Sequence, residues 1–304
     1  MFFGTPSWAV PSLEALLDAD VHVAAVATAP DRPAGRGMEV RVSPVKLVAG
    51  ATGLEILQPA KARTPEFIER IRSIAPDVAV VVAYGMILPP ELLDAVPHGF
   101  VNLHFSLLPA YRGAAPVQRA IMDGLDVSGV TIMVLTAGMD EGPVLASEEV
   151  AIRADDTAGS LGERMARVGA RLLVATLPGY LSGELRPVEQ DHGAATYASK
   201  MTPDGARIDW TAPAARIRDF VRALNPAPGA WTTLRGRRLK VHRADVAPAD
   251  HGLGPGELAP DGGLLAGTGA GAIALVEVQA ANKRRVSGAE LARGLRLSPG
   301  ERLE

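Results

Sequence analysis

The sequence predicts a doubly wound, mostly parallel α/β sheet followed by a second, smaller β-barrel domain, and three observations support this. In the first half of the chain, apolar β-like runs alternate with amphipathic helix-like segments, which is the order of a parallel sheet with crossover helices. Several of these runs are apolar throughout, as in strands that are covered on both faces. In the C-terminal third, short β-like runs are separated by glycine-rich turns instead.

The elements of the first domain can be placed in order. Strands are predicted at residues 1–3, 21–27, 77–83, 99–103 and 130–135. Helices are predicted between and after them, at residues 11–18, 43–53, 64–74, 116–124 and 157–181. Ser43 and Thr64 each stand directly before a proline. An N-cap residue followed by proline in the first turn is typical of a helix start, so it predicts where these two helices begin.

The chain changes character after the long predicted helix. Residues 184–203 have mixed polarity and no sustained period, so they are predicted to form a linker. The first domain is therefore predicted to cover residues 1–183 and the second to cover residues 204–304. Strands of the second domain are predicted at residues 231–234, 239–246 and 272–278. Short strands broken by turns favour a small β-barrel.

Composition excludes several classes of protein. A chain of 304 residues, 47% of them hydrophobic, is long enough to build two cores. The chain has no cysteine, which excludes disulfide scaffolds, thiolate nucleophiles and cysteine-based metal sites. No apolar run reaches the roughly 18 residues that span a bilayer, and no export signal is recognisable. We therefore expect a cytoplasmic protein that does not associate with membranes.

The charge is distributed unevenly between the two predicted domains. Residues 1–183 carry 14 Lys and Arg against 20 Asp and Glu, a balance of −6. Residues 184–304 carry 17 against 14, a balance of +3. Such an asymmetry is typical of a module that contacts phosphates attached to a catalytic domain for small molecules.

One motif contains the candidate catalytic residues. Asn102 and His104 lie two residues apart at the end of a predicted strand, so their side chains are expected on the same face. The carboxyl ends of the strands are where open α/β sheets bind ligands. Downstream, Asp140 lies in a predicted loop. An amide donor, an imidazole and a carboxylate can together move an acyl group between nitrogens, although each residue alone is more often structural.

Residues 102–109 together with Asp140 resemble the formyltransferases that use 10-formyltetrahydrofolate. Gly4-Thr5-Pro6 and residues 30–37 and 43–46 extend this resemblance over nearly the whole chain. They are similar to the branch that formylates methionine on initiator tRNA. The resemblance implies a Rossmann-like catalytic domain and an OB-like barrel. It also implies 10-formyltetrahydrofolate as cosubstrate, initiator methionyl-tRNA as partner, no metal, and a monomer.

The same resemblance implies roles for individual residues. Asn102 and His104 would stabilise the oxyanion, and Asp140 would support His104. The folate would be contacted by Ser106, Leu107, Leu108 and Pro109. Two features depart from the family pattern. Phe105 replaces a small residue or proline and is expected to alter the shape of the pocket. The first strand is short, so a chain extended upstream is expected to melt at a higher temperature if that strand is clipped.

Basic residues are candidates for contacts with tRNA. Residues 30–42 resemble the insertion loop of the family, which implies that Arg32, Arg36 and Arg41 meet the acceptor stem. In the second domain, a basic set lies on or beside a predicted hairpin and a second set follows it. These residues are Arg235, Arg237, Arg238, Lys240, Lys283, Arg284 and Arg285. Solvated turn charges are the alternative for each of them.

Two other functions stay open at this point. A related enzyme with the same three residues would formylate a small amine, such as a nucleotide-linked aminosugar or glycinamide ribonucleotide. A basic loop and a basic second domain argue against that acceptor. Alternatively, the sheet would be a dinucleotide-binding or RNA-binding scaffold without catalysis. No Gly-x-Gly-x-x-Gly pattern follows the first strand and no metal-ligand cluster is visible, which argues against this second alternative.

Overall fold

The computed structural model of the chain describes residues 1–34, 39–248, 251–259, 263–298 and 300–304. Backbone contacts divide the chain into two compact units. The first consists of Met1–Pro116, Val127–Ala151 and Gly162–Ala198, and the second of Val117–Asp126, Ile152–Leu161 and Ser199–Glu304. Within the described ranges, no helix combines the length and apolar composition that a membrane span requires.

A seven-stranded sheet forms the centre of the first unit. The strands of this unit are β1 (Phe2–Gly4), β2 (Val26–Ala27), β3 (Arg32–Ala34), β4 (Glu39–Arg41), β5 (Ile56–Leu57), β6 (Ala79–Val82), β7 (Phe100–His104), β8 (Val127–Val134) and β9 (Val144–Ala151). Strands β3 and β4 form a separate two-stranded hairpin, and the others form the sheet. The sheet order is β5-β2-β1-β6-β7-β8-β9. The first five strands in this order are parallel, whereas β8 and β9 are antiparallel. The predicted mostly parallel sheet is confirmed.

Helices connect these strands, and proline residues begin several of them. The helices of the chain are α1 (Val10–Asp18), α2 (Pro44–Ala51), α3 (Pro65–Ile74), α4 (Pro90–Leu93), α5 (Pro116–Met122), α6 (Ala158–Leu181), α7 (Ala214–Ala223) and α8 (Gly288–Leu295). Ser43 caps α2 as predicted, because its hydroxyl accepts the N–H of Lys46 at 3.1 Å. Thr64 precedes α3 but makes no capping hydrogen bond with its side chain. Its helix start therefore relies on the proline alone.

The core of the first unit is aromatic on one face of the sheet. The side chain of Phe3 is fully buried, and its ring centroid lies 5.3 Å from both Tyr84 and Phe100 and 6.3 Å from Phe67. These residues come from two strands, a helix and the loop after β6. Packing of Phe3 therefore fixes the strands whose carboxyl ends form the site described below.

Replacing Phe3 by alanine is expected to lower the free energy of unfolding by about 3–5 kcal/mol, because a ring is removed from a closed core. Urea unfolding followed by circular dichroism measures the change. Leu47→Ala is the matched control, since Leu47 is 62% exposed and its loss is expected to change stability by no more than about 0.5 kcal/mol. Equal losses in the two variants would contradict this description of the core.

The second unit contains a smaller antiparallel sheet. Its strands are β10 (Trp231–Leu234), β11 (Arg237–Val246), β12 (Leu258–Ala259), β13 (Leu265–Gly267), β14 (Ala272–Ala280) and β15 (Val286–Ser287). The order is β10-β11-β14-β13-β12, and β15 also pairs with β14. Leu303 bridges Leu234 at one edge, and Arg302 bridges Glu257 beside the other edge. The chain end thus links the two edges of the sheet, as the predicted barrel requires.

Several elements of the structure, most of them short, are not predicted from the sequence. Residues 21–27 were expected to form one strand, but only Val26–Ala27 is a strand. The hairpin of β3 and β4, the two-residue strand β5, the single-turn helix α4, the edge strand β9 and helices α7 and α8 were not predicted. Two to four residues are too few to show a hydrophobic period, and β9 carries two adjacent glutamates that hide its alternation.

The segment predicted as a linker, residues 184–203, is for the most part packed. Its residues up to Ala198 belong to the first unit. Val188 and Val144 exchange backbone hydrogen bonds of 2.7 and 2.8 Å, and the Ala198 N–H donates to the carbonyl of Arg112 at 2.7 Å. These are isolated backbone pairings, which leave no hydrophobic period in the sequence. The limits 1–183 and 204–304 for the two domains stay a prediction.

Candidate active site

Strand β7 places two of the predicted catalytic side chains. All five of its residues are buried, and the strand is paired with β6 on one side and β8 on the other. Asn102 and His104 alternate with Leu103 and therefore share a face. Asn102 is 8% exposed and His104 is 6% exposed. Both side chains thus lie at the carboxyl edge of the parallel strands with a small solvent-facing surface.

The side-chain amide of Asn102 is available to a ligand. Among the residues that the structure describes, none makes a hydrogen bond with this amide, although the residue is almost entirely buried. A buried amide normally has hydrogen-bond partners, so an amide without one is suited to a substrate oxygen.

His104 lies between two oxygen atoms. Its Nε2 is 3.0 Å from the carbonyl oxygen of Tyr111, which can only accept, so this nitrogen carries a hydrogen. Its Nδ1 is 3.7 Å from Oδ2 of Asp140. That distance suits an ion pair with a protonated ring but is too long for a hydrogen bond. Only a doubly protonated imidazole has a donor for both neighbouring oxygens.

A tight loop after β8 presents Asp140. Asp140 itself has a positive φ of 49°, and its Oδ2 accepts the N–H of Gly113 at 2.8 Å. Gly113 has a φ of 110°, and a Cβ there would lie 2.9 Å from the carbonyl oxygen of Ala198. A Cβ on Gly142 would lie 1.9 Å from the carbonyl oxygen of Val134. The two glycines therefore allow the loops around the carboxylate to approach each other closely.

A second layer of polar side chains supports this loop, and the sequence prediction did not contain it. Nε2 of Gln190 donates to the carbonyls of Asp140 and Gly142 at 2.9 and 2.6 Å. Arg112 donates to Oε1 of Gln190 at 3.1 and 2.7 Å and to Nδ1 of His192 at 3.1 Å. Arg112 lies three residues after the motif of residues 102–109. Gln190 lies in the segment predicted as a linker and gives no signal in the sequence.

The segment predicted to contact the folate, residues 106–109, is a loop that several hydrogen bonds hold in place. Ser106 is fully buried, and its hydroxyl donates to the carbonyl of Ala110 at 2.6 Å. Thr131 of β8 holds the loop with two hydrogen bonds. Its hydroxyl donates to the carbonyl of Ser106 at 2.6 Å and accepts the Leu108 N–H at 3.1 Å. Leu107, Leu108 and Pro109 are half-buried. The exposed faces of those three residues are available to a ligand, whereas the hydroxyl of Ser106 serves the loop itself.

Phe105 packs away from Asn102 and His104. Its ring centroid lies 5.5 Å from the ring of Trp8, and the residue is 5% exposed. Because side chains alternate along an extended chain, Phe105 follows Leu103 rather than His104. Its bulk is accommodated against Trp8.

The basic hairpin of the first unit is described in part. Arg36 lies outside the described residues. Arg32 and Arg41 are exposed and lie opposite each other in the register of β3 and β4. At the base of the hairpin, Nζ of Lys46 donates to Asp31 at 2.5 Å, and this hydrogen bond lowers the pKa of the Asp31 carboxyl. Lys46 and Asp31 thus anchor the hairpin and leave Arg32 and Arg41 to face solvent.

The basic residues of the second unit differ in their surroundings. Arg237 is exposed, and the guanidinium of Arg238 lies 3.9 Å from the ring centroid of Trp231. Nζ of Lys240 donates to the carbonyl of Pro228 at 3.1 Å. Arg235, Arg284 and Arg285 are paired with carboxylates, in the pairs Arg235–Glu301, Arg284–Glu290 and Arg285–Glu277. Lys283 is exposed. Arg237, Arg238 and Lys283 are therefore the residues of this set that are best placed to meet a phosphate.

A metal site is not evident in this part of the molecule. Among the described residues, no three His, Asp or Glu side chains are grouped closely enough to hold a metal ion. The chemistry that the arrangement supports is that of an amide donor, an imidazole and a carboxylate that meet at one edge of the sheet.

Comparisons with known proteins agree with this chemistry. Residues 1–177 match the model of the family described as formyl transferase, and residues 200–296 match the formyl transferase C-terminal domain. A protein of Streptomyces coelicolor named methionyl-tRNA formyltransferase is 49% identical over 305 residues, which covers 100% of this chain and 98% of the relative.

Solved structures share the fold. The methionyl-tRNA formyltransferase of Clostridium thermocellum superposes with a TM-score of 0.58 at 18% identity and covers 82% of this chain and 93% of its own. A sugar 3N-formyl transferase, crystallised in the presence of dTDP and 5-N-formyl-THF, has a TM-score of 0.67 at 18% identity. It covers 93% of this chain and 97% of its own.

Proposed function

The chain belongs to the formyl transferase family, and from that membership and the geometry of the site we propose its reaction. The formyl group of 10-formyltetrahydrofolate is transferred to the α-amino group of methionine charged on initiator tRNA. The folate is a cosubstrate that leaves as tetrahydrofolate. The full-length similarity to relatives named methionyl-tRNA formyltransferase supports this choice of acceptor.

One observation carries the proposed roles of the residues. The unpartnered amide of Asn102 shares a strand face with His104, whose Nδ1 is 3.7 Å from the Asp140 carboxylate. Within a nearly buried edge, a hydrogen-bond donor, an imidazole and a carboxylate are thus adjacent. Such preorganised groups stabilise developing charge far better than water does, because they need no reorganisation.

The steps follow from the chemistry of each group. The methionine amine attacks the formyl carbon, so a C–N bond forms and the carbonyl oxygen becomes an oxyanion. Asn102 donates an N–H to that oxygen, and the imidazolium of His104 stabilises its negative charge. The Asp140 carboxylate accepts a proton from the attacking nitrogen, directly or through a water. The protonated Asp140 then returns this proton to N10 of the folate by the same route. The oxyanion re-forms the carbonyl, the C–N10 bond breaks, and tetrahydrofolate departs.

The surface charges support a tRNA acceptor. Arg32 and Arg41 are like charges placed opposite each other on two paired strands, an arrangement that destabilises the hairpin when it stands alone. A phosphate near the pair relieves this repulsion. Arg237 and Arg238 offer further cationic surface in the second unit. Action as a monomer in the cytoplasm, where charged tRNA is found, remains part of the proposal.

The reaction is tested by transfer of labelled formyl from 10-formyltetrahydrofolate to methionyl-tRNA. Initiator tRNA, elongator tRNA, a nucleotide-linked aminosugar and glycinamide ribonucleotide are compared as acceptors. We expect transfer to initiator methionyl-tRNA alone. Transfer confined to a small amine would retain the chemistry and reject the tRNA acceptor, and absence of any transfer would reject the reaction.

The double variant Arg32→Gln/Arg41→Gln is expected to weaken binding of tRNA and leave binding of folate unchanged. Its plot of log K against log salt should be shallower by about 1.5, since each phosphate contact contributes about 0.7–0.9 to the slope. Binding is measured by filter retention over a series of KCl concentrations. Arg70→Gln is the control, because Arg70 is exposed and already paired with Glu55 at 2.6 Å. An unchanged slope in the double variant would exclude the hairpin from the interface.

A further inference from the structure

A strap of chain crosses the two loops that hold the catalytic groups. This strap, residues 188–198, pairs at one end with β9 through Val188 and Val144. At its other end, the carbonyl of Thr196 accepts the Arg112 N–H at 2.8 Å, and its hydroxyl accepts the Tyr111 N–H at 2.8 Å. The carbonyl of Tyr111 is the one that faces His104. The strap therefore contacts the loops on both sides of the His104 ring.

Gln190 is the side chain by which the strap reaches the carboxylate loop. It is 7% exposed, and its amide nitrogen donates to two backbone carbonyls, those of Asp140 and Gly142. Both hydrogens of that nitrogen are thus used on the loop. The backbone of Asp140 is held directly at the residue whose carboxylate faces His104.

Arg112 fixes the orientation of the Gln190 amide. Its guanidinium is 2% exposed and donates twice to Oε1 of Gln190. An amide that accepts with its oxygen from Arg112 must direct its nitrogen at the opposite side, where the two carbonyls lie. Burial of a guanidinium is costly, and within the described part of the chain the side-chain partners of this one are Gln190 and His192.

From these contacts we infer that Gln190, oriented by Arg112, is a positioning residue for formyl transfer that holds the Asp140 carboxylate beside His104. The inference rests on the catalytic roles proposed above for Asp140 and His104. The distance of 3.7 Å between Nδ1 and Oδ2 is slightly beyond hydrogen-bond length. A small displacement of the loop therefore decides whether the carboxylate engages the ring.

The test is the isosteric substitution Gln190→Glu. The new carboxylate still accepts from Arg112, but it has no hydrogen to give and faces two carbonyl oxygens, so the loop moves while the fold is retained. We expect kcat to fall by about 10- to 100-fold, the scale on which a misplacement of about 1 Å reduces rates. The KM values for folate and tRNA should stay within a factor of about two.

The matched control is Gln279→Glu. Gln279 also donates its amide N–H to a backbone carbonyl, that of Lys283 at 2.8 Å, but it lies in the second unit. Its kcat at saturating tRNA is expected to equal that of the wild type. If Gln190→Glu fails to fold, Gln190→Met removes the same donors without adding a charge, and the same fall in kcat is expected. Wild-type kcat in a folded Gln190 variant would overturn the inference.

A double-mutant cycle with Asp140→Asn separates positioning from general loss of stability. If Gln190 acts through Asp140, the Gln190→Glu change reduces kcat by less than about twofold in the Asp140→Asn background. A full and multiplicative reduction would overturn the inference. Wild-type kcat in Asp140→Asn itself would overturn both the proposed role of Asp140 and this inference, whereas loss in Asp140→Asn beside wild-type activity in Gln190→Glu would overturn only the inference.

Discussion

Asn102→Asp is expected to lower kcat by about 10²–10³-fold, or roughly 3–4 kcal/mol of transition-state stabilisation. The substitution keeps the shape of the side chain but removes both N–H donors and directs a negative charge at the developing oxyanion. Because the amide has no partner within the described residues, no structural hydrogen bond is lost with it. Single-turnover transfer to initiator methionyl-tRNA measures the rate, and calorimetric titration measures folate affinity.

The matched control for this change is Asn225→Asp. The amide of Asn225 donates to the carbonyl of His242 at 2.7 Å in the second unit, so its loss is expected to reduce stability by about 1 kcal/mol and to leave kcat unchanged. A fall in stability without a fall in kcat for Asn102→Asp would reverse the assignment and make Asn102 a structural residue.

His104→Asn is expected to lower kcat by about 10²–10⁴-fold, since a side chain that carries or transfers a proton contributes on that scale. Asparagine keeps one donor toward Tyr111 but has no positive charge to place beside the Asp140 carboxylate. The rate is measured across a range of pH values in the same transfer assay. The variant should bind tetrahydrofolate and tRNA with affinities close to those of the wild type.

His242→Asn controls for the loss of a buried imidazole. His242 is 4% exposed, against 6% for His104, and burial lowers its pKa. Its Nε2 lies 3.1 Å from Oε1 of Gln279, and both residues belong to the second unit. We expect reduced stability and an unchanged kcat for the folded protein. Comparable losses of kcat in the two variants would show that burial, and not position, explains the effect.

The sheet of the first unit is predictable because its strands are apolar on both faces. Residues 77–83 and 99–103 are short runs flanked by helix-like segments, and they correspond to β6 and β7 within two residues. Hydrophobic periodicity and flanking turn residues suffice to predict an element that is long or fully buried. They fail for β2 and β5, which have two residues each and are defined only by the strands beside them.

The shared strand face of the two proposed catalytic residues is predictable for a local reason, whereas the side chains that hold the Asp140 loop are not. Asn102 and His104 share a face because strand side chains alternate. Asp140 is far from them in the sequence and comes close to His104 only in the folded chain. Its role is implied by the family resemblance alone. Gln190 is 78 residues from Arg112 and 50 from Asp140. Hydrogen bonds over such separations leave no pattern in a single sequence, so a segment that they hold is easily predicted to be a linker.

The central claim, that Asn102 and His104 stabilise one oxyanion, is tested most directly by single-turnover formyl transfer in the double variant Asn102→Asp/His104→Asn. Groups that act as a unit on one transition state have strongly non-additive effects. We therefore predict a rate for the double variant within about tenfold of the slower single variant. Reductions that multiply in full would contradict the claim, because they would show that the two residues act on separate steps.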